Sequence, residues 1–209
     1  MDSIESLKQI INESKNIVFF GGAGVSTESN IPDFRSESGI YNEKQKKYSY
    51  PPEVMLSHSF YERNIEEFFE FYFDKMIYEN AKPNNAHLAL SKLEKDGKLT
   101  AVITQNIDGL HQKAGSKKVL ELHGSVHRNY CEKCGKFFDL EAMLKKRGGV
   151  PRCDCGGIIK PDVVLYEEAL DNKVMNESVE RIASCDCYIV VWGYLFIYYN
   201  QIFAIKIAN

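Results

Sequence analysis

The chain has 209 residues, 44% hydrophobic and 26% charged, enough to bury a core as one globular domain or one domain with an insertion. Its formal net charge of −3 argues against nucleic acid or an anionic membrane as the main partner. Met1-Asp2-Ser3-Ile4-Glu5 lacks the basic start and apolar run of a secretory signal, so the expected compartment is the cytoplasm, where the six cysteines stay reduced.

Ile4, Leu7, Ile10 and Ile11 recur at helical spacing and lead into the apolar run Ile17-Val18-Phe19-Phe20, which ends in Gly21-Gly22-Ala23-Gly24. This predicts helix, strand and glycine turn, with a further helix opening after the turn. Residues 42–80 break the pattern. Their helical part sets Ile65, Phe68, Phe69, Tyr72, Phe73 and Met76 on one broad face, which reads as a packing surface. The alternation resumes with a helix around His87 to Lys95 that stops at Gly97, a strand from Leu99 to Thr104 and another from Val119 to Leu122. Residues 126–160 form a second insertion. Strands are then predicted at Val163 to Tyr166 and Tyr188 to Val191, separated by a helix carrying Met175, Val179 and Ile182 behind the cap Asp171. Tyr188 to Tyr199 is apolar or aromatic apart from Gly193, but Asn200, Gln201 and Lys206 interrupt the apolar character beyond it, so a buried strand is expected here and no membrane anchor. Alternating strands and helices predict an α/β fold with a parallel, doubly wound sheet.

Gly22-Ala23-Gly24-Val25-Ser26 comes directly after a strand, where glycines let the backbone approach a pyrophosphate. Alone, this could equally be a turn with no ligand. Ile31-Pro32-Asp33-Phe34-Arg35 comes next, Thr104-Gln105-Asn106-Ile107-Asp108 closes one strand and Leu122-His123-Gly124 closes another. Ligands of open α/β sheets bind at the carboxyl ends of strands, so an Arg, an amide pair, a carboxylate and a His can converge on one crevice. Each residue also has a structural alternative: Asp108 as a helix cap, Arg35 paired with Glu28 or Glu37, and His123 as a satisfied core histidine.

Cys131-x2-Cys134 is followed, after eighteen intervening residues, by Cys153-x-Cys155. Four thiolates meet the tetrahedral preference of zinc and leave no open position, so the expected site is structural, with Gly135, Gly156 and Gly157 at the turns. Cys185 and Cys187 read as small buried hydrophobes. The 126–160 segment carries eight Lys or Arg against four Asp or Glu, a mild balance that reads as a solvated face.

These four motifs and the paired cysteines, in this order, resemble the bacterial sirtuins from the N-terminus to about Gly193. The resemblance implies a Rossmann-like domain (1–41, 81–125 and 161–209), a small domain built from the helical insertion 42–80 and the zinc module 126–160, and NAD meeting an acetylated protein or peptide lysine between them. It implies that Asn106 and Asp108 hold the nicotinamide end, Gln105 lies near the ribose and His123 is the general base. Gly22, Ala23, Gly24, Ser26, Arg35 and Gly193 would contact the cofactor, Phe34 would cover the reacting ribose, and Val163, Val164 and Tyr166 would pair with the substrate by strand addition. The implied activity is acyl transfer from lysine to ADP-ribose with release of nicotinamide.

After Val191-Trp192-Gly193 the family continues with Thr-Ser, a helix of small residues and a last strand, whereas Tyr194-Leu195-Phe196-Ile197-Tyr198-Tyr199 stands here. The expectation is an unpaired sheet edge and NAD binding weaker than the motifs suggest. An inactive NAD- or zinc-binding remnant therefore competes with the active deacylase, and an ADP-ribosyl transferase is a further possibility, since it would cleave the same bond. A nicotinamide dehydrogenase is the weakest alternative: Thr27 replaces the third glycine of its fingerprint, and no ribose-binding acid appears about twenty residues later.

Overall fold

The computed structural model describes residues 3–34, 39–40, 47–191 and 202–206, the last segment by its backbone alone. In chain order the elements are α1 (Ser3–Glu13), β1 (Ile17–Gly21), α2 (Pro52–Met55), α3 (His58–Arg63), α4 (Ile65–Lys75), α5 (Asn85–Lys95), β2 (Leu99–Thr104), α6 (Leu110–Lys113), β3 (Val119–Glu121), β4 (Gly124–Cys131), β5 (Phe137–Phe138), α7 (Leu140–Leu144), β6 (Ile159–Val163), α8 (Asn172–Ser184), β7 (Cys187–Val191) and β8 (Ile202–Lys206).

Alternation along β1 builds the first layer. Ile17 and Phe19 face one side of the sheet, with Leu90, Leu99, Val102 and Ile189 and, from α1, Ile10 and Ile11. Val18 faces the other side with Ala101, Ile103 and Leu120, where Val174, Met175 and Ile182 of α8 pack. A period of two on a strand buried on both faces requires helices on both sides, which is the doubly wound arrangement the sequence predicts. The strand order is β3-β2-β1-β7-β8, parallel from β3 to β7. The chain leaves β1 toward β2 and later returns to β1's other side at β7, so the order reverses there. A topological switch of this kind opens a crevice at the carboxyl ends of the strands.

Caps mark several helix starts. Asp171 accepts from the Lys173 and Val174 amides, and Asn84 accepts from Ala86. The helix at α5 ends ahead of Gly97, whose φ of +74° suits a residue without a Cβ.

The second layer is an antiparallel sheet, β5-β4-β6, packed on α2, α3, α4 and α7. The aromatic stripe of the helical insertion is core: Phe68, Phe69 and Tyr72 are fully buried, with Tyr61 edge-on to Phe68 at 5.0 Å between centroids. Both insertions share this core, since Met55, Phe60 and Phe68 cluster with Cys131, Met143 and Ile159. Arg128 of β4 joins the layers, donating to Glu121 at the end of β3 and to Asp162 of β6.

Three expectations need correction. The strand expected at Val163 to Tyr166 lies earlier, as Ile159–Val163, and belongs to the antiparallel sheet, because its apolar residues face the aromatic core. The turn after β1 does not open an α-helix. It makes two 3-10 turns, Ala23–Val25 and Thr27–Ser29, and stops at Asn30, whose φ is +61°, just ahead of Ile31-Pro32. The edge of β7 is not bare. β8 pairs with it antiparallel from Cys187↔Lys206 to Val191↔Ile202, a geometry that needs no long crossover. The aromatic run 194–199 lies outside the described residues. No helix among the described residues is long and apolar enough to cross a membrane.

His87 of α5 and His111 of α6 lie 4.7 Å apart between ring centroids with their planes tilted by 59°, and both are buried. Burial pushes His87 below the usual histidine range, against the nearby Asp108 charge, and burial together with His87 pushes His111 down to about 3. Both rings are thus neutral when folded and free to bind protons when unfolded. Between pH 6.5 and about 3 the unfolded chain binds more protons, so stability falls on acidification. The slope approaches about 1.4 kcal/mol per pH unit for His111, and His87 adds to it in the same direction. Urea midpoints from pH 7 to 5 should decline, and less steeply in His111→Leu; equal slopes in the two proteins would remove His111 from the account.

Candidate active site and metal centre

A cavity of about 590 Å³ opens at the switch point, within the range of small-molecule sites. Its lining combines the turn after β1 (Gly22, Ala23, Ser26), the segment Ile31 to Phe34, the end of β2 (Gln105, Asn106, Asp108), His123 and the wall Val163 to Glu168. Of the residues singled out from sequence, Gly22, Ala23, Ser26, Phe34, Gln105, Asn106, Asp108, His123, Val163, Val164 and Tyr166 all meet there. Gly24 sits in the adjoining 3-10 turn, its carbonyl accepting from the Thr27 hydroxyl. Arg35 and Gly193 lie outside the described residues.

Ser26 is the centre of the polar network. Its hydroxyl, 1% exposed, donates to Asp108 Oδ2 at 2.7 Å and accepts from Asn106 Nδ2 at 3.0 Å. The other oxygen of Asp108 accepts from the Leu110 amide at 2.9 Å. Asp108 thus satisfies the first amide of α6, although the helix begins at Leu110 with Gly109 as its N-cap, and it lines the cavity as well. Neighbouring strands hold these groups in place: the Gln105 amide donates to Gly21 O, and the Asn106 amide to Thr104 Oγ1. A Cβ on Gly22 would lie 3.3 Å from Gln105 Oε1, so glycine keeps this approach open.

His123 Nδ1 lies 3.0 Å from the Gln105 carbonyl oxygen. A carbonyl only accepts, so Nδ1 carries the proton and Nε2 is the basic nitrogen. Burial pushes the imidazole below its usual range, and the hydrogen bond to Gln105 opposes this. The ring is neutral at neutral pH.

On the opposite wall the Val164 amide donates to His123 O, while Tyr166 uses its amide on Leu56 O and its carbonyl on the His58 amide. These bonds tie the wall to α2 and α3.

Two residues of the site escaped the sequence reading. Asn84, besides capping α5, donates to Val25 O at 2.7 Å and to Ser29 Oγ at 3.1 Å, pinning the turn that carries Ser26. Asn ahead of a helical pattern signals the cap but not this second task. His127 donates from Nε2 to Asp108 O at 3.0 Å and packs over Gly109, where a Cβ would lie 2.6 Å from its ring. No local signal marks His127, since the contact joins β4 to the end of β2.

The four cysteines form a separate cluster. Their sulfurs lie within 4.8 Å of one another, with Cys131 to Cys155 at 3.5 Å and Cys134 to Cys153 at 3.7 Å. A tetrahedron with Zn–S bonds of about 2.3 Å has edges of about 3.8 Å, so the thiols match a structural zinc. The expected glycines serve the turns. Gly135 and Gly156 have φ of +71° and +82°, and a Cβ on Gly157 would sit 2.7 Å from Cys131 Sγ. None of the four cysteines lines the cavity.

Fold and site together define an α/β protein that receives a small molecule at the switch point of a parallel sheet and holds a structural metal in an inserted module. Residues 22–197 match the Sir2 family model, and the chain belongs to that family. The NAD-dependent protein deacetylase of Clostridium acetobutylicum is 61% identical over 199 residues, covering 95% of this chain and 81% of that protein. The enzyme of the same description from Clostridium tetani is 62% identical over 199 residues, covering 95% and 80%. A solved Sir2 structure with a deacetylated p53 peptide and 3′-O-acetyl ADP-ribose superposes at a TM-score of 0.82, with 40% identity and coverage of 94% of this chain and 79% of that one.

Native mass spectrometry of the purified chain should find about one zinc, and chelation should lower the melting temperature, because a closed thiolate site contributes directly to folding. Zinc retained by the double variant Cys131→Ala, Cys153→Ala would refute the assignment.

Proposed function

We propose that this chain is an NAD-dependent protein deacetylase that transfers the acyl group of an acyl-lysine side chain to ADP-ribose and releases nicotinamide. The observation that carries the reading is the convergence in one cavity of a neutral His123, its tautomer set by the Gln105 carbonyl, with the Ser26, Asn106 and Asp108 network. NAD supplies the ribose that accepts the acyl group and the nicotinamide that leaves.

The protein's own residues do the rest. Gly22, Ala23, Gly24 and Ser26 form the backbone cradle for the cofactor, without a long helix behind it, and Gly22 leaves room for close approach. Asn106 and Asp108 are held rigid by Ser26 and present their polar edges to the nicotinamide end, with Gln105 at the ribose. Phe34 excludes water from the reacting centre. Arg35 and Gly193 are assigned to the cofactor by family position. His123 Nε2 takes a proton from a ribose hydroxyl, which requires the neutral ring. Val163, Val164 and Tyr166 border the acyl-lysine peptide.

In this reading the segments 1–41, 81–125 and 161–209 carry the cofactor, while 42–80 and 126–160 form the second lobe around one zinc. Thiols available for zinc suit a cytoplasmic enzyme.

Nicotinamide release should depend on an acetyl-lysine peptide. His123→Ala should lower acyl transfer by about 10²–10⁴ with the fold retained, the usual contribution of a general base. Because burial lowers the His123 pKa, the acidic limb of kcat/KM should fall below pH 6.5, where the base becomes protonated. No peptide-dependent nicotinamide release from the zinc-loaded chain would refute the reading. Wild-type turnover in His123→Ala would refute the role of His123 alone.

A further inference from the structure

Glu167 has a backbone conformation its side chain does not favour. Its φ is +76°, in the left-handed region that residues bearing a Cβ rarely adopt. Among the described non-glycine residues the other case is Asn30, a type that tolerates this region, whereas Glu has no such tolerance. A conformation of this kind persists only where its surroundings impose it, and such positions cluster at ligand clamps.

The Glu168 amide closes a turn on Leu165 O at 3.1 Å with Glu167 at the third position, where a positive φ is required, and the Glu167 side chain then braces that turn on α3. The Glu167 carboxylate accepts from the Ser59 amide at 2.9 Å through Oε2 and from the Ser59 hydroxyl at 3.1 Å through Oε1. Ser59 lies in the first turn of α3, where backbone amides have no partner within the helix. The residues on either side reinforce the contact. Tyr166 is bonded through its backbone to Leu56 and His58, and the Glu168 carboxylate lies 2.9 Å from His58 Nδ1. Glu167 also lines the cavity, next to Tyr166 and on the same wall as Val164. The other end of that wall is fixed at His123 through the Val164 amide.

We propose that Glu167 is a positioning residue for the acyl-lysine peptide: its two-point latch on Ser59 holds the left-handed turn that sets Val164 and Tyr166 at the spacing the peptide meets. The inference rests on the deacetylase reading and adds a determinant of peptide affinity distinct from cofactor binding and from the chemical step. The latch couples the wall to the helical insertion, so it acts on the peptide side of the cavity and not on Ser26, Asn106 or Asp108.

The test uses the full zinc-loaded chain, NAD and one fluorescently labelled acetyl-lysine peptide. Peptide KM, NAD KM, kcat, peptide affinity by anisotropy and melting temperature are compared for wild type, Glu167→Gly, Glu167→Gln and Ser59→Ala. Glycine adopts the positive φ without strain but has no latch, so Glu167→Gly should stay folded while peptide KM rises about tenfold, only part of what the two lost bonds contribute, because the rest of the wall stays tied to Leu56, His58 and His123. Its kcat and NAD KM should stay within about twofold of wild type, since those terms depend on the opposite wall. Glu167→Gln keeps one acceptor and should fall between, as should Ser59→Ala, which also answers the question if the glycine variant does not fold. An unchanged peptide KM in Glu167→Gly and Ser59→Ala, with wild type active, overturns the latch and leaves the deacetylase reading standing. Equal losses in kcat and NAD KM would also overturn it. A wild-type chain that neither binds nor deacylates the peptide overturns both.

Discussion

One buried hydroxyl organises the site. Ser26 Oγ donates to Asp108 and accepts from Asn106, tying the turn after β1 to the end of β2. A hydrogen bond to a charged group contributes about 1.5–3 kcal/mol, and a serine cannot be replaced here by an apolar residue without leaving the carboxylate short of a partner. Everything that faces the cavity from the large sheet depends on this tie. Asn84 fixes the Ser26 turn from one side, and His127 with the Val126 amide fixes the Ile107 and Asp108 carbonyls from the other.

The second lobe acts on the same point from further away. β4 begins beside His123, gives its Val126 amide and His127 ring to the turn at Asp108, and ends at Cys131 in the cysteine cluster. β4 thus links the cysteine cluster to the turn at Asp108 along one strand. The aromatic core supports the wall from Val163 to Glu168: Phe60 and Phe68 seat α3 and α4 against the antiparallel sheet, and α3 presents Ser59 to Glu167. The two walls are held largely by different contacts and meet where the Val164 amide bonds the His123 carbonyl.

Much of this is legible along the chain. The strand at Leu99–Thr104, the strand expected from Tyr188 to Val191 and found one residue longer, the cap at Asp171, the aromatic face of the helical insertion and the cysteine cluster follow from periodicity, capping chemistry and ligand spacing. All of these are local: each depends on residues close in sequence or on a repeat that states its own geometry. Local signals mislead where a distant partner decides the outcome. A glycine turn after a strand predicts a helix, yet Asn30 and Ile31-Pro32 end it after two 3-10 turns. The apolar residues around Val163 predict a strand of the parallel sheet, yet they join the antiparallel one, because an apolar run does not say which layer covers it.

The class of fold, the metal ligands and the set of side chains that meet at the crevice are written in the order of residues alone, because motifs at strand ends are brought together by any parallel sheet of that order. How those side chains are used is settled by the folded structure. The tautomer of His123 depends on a carbonyl 18 residues away in the chain, the tie between Asp108 and Ser26 spans 82 residues, and the side chain of Glu167 is held by a serine 108 residues earlier. Contacts at such separations leave no periodic trace in the chain. They exist only after the two cores have closed and set the distances between elements.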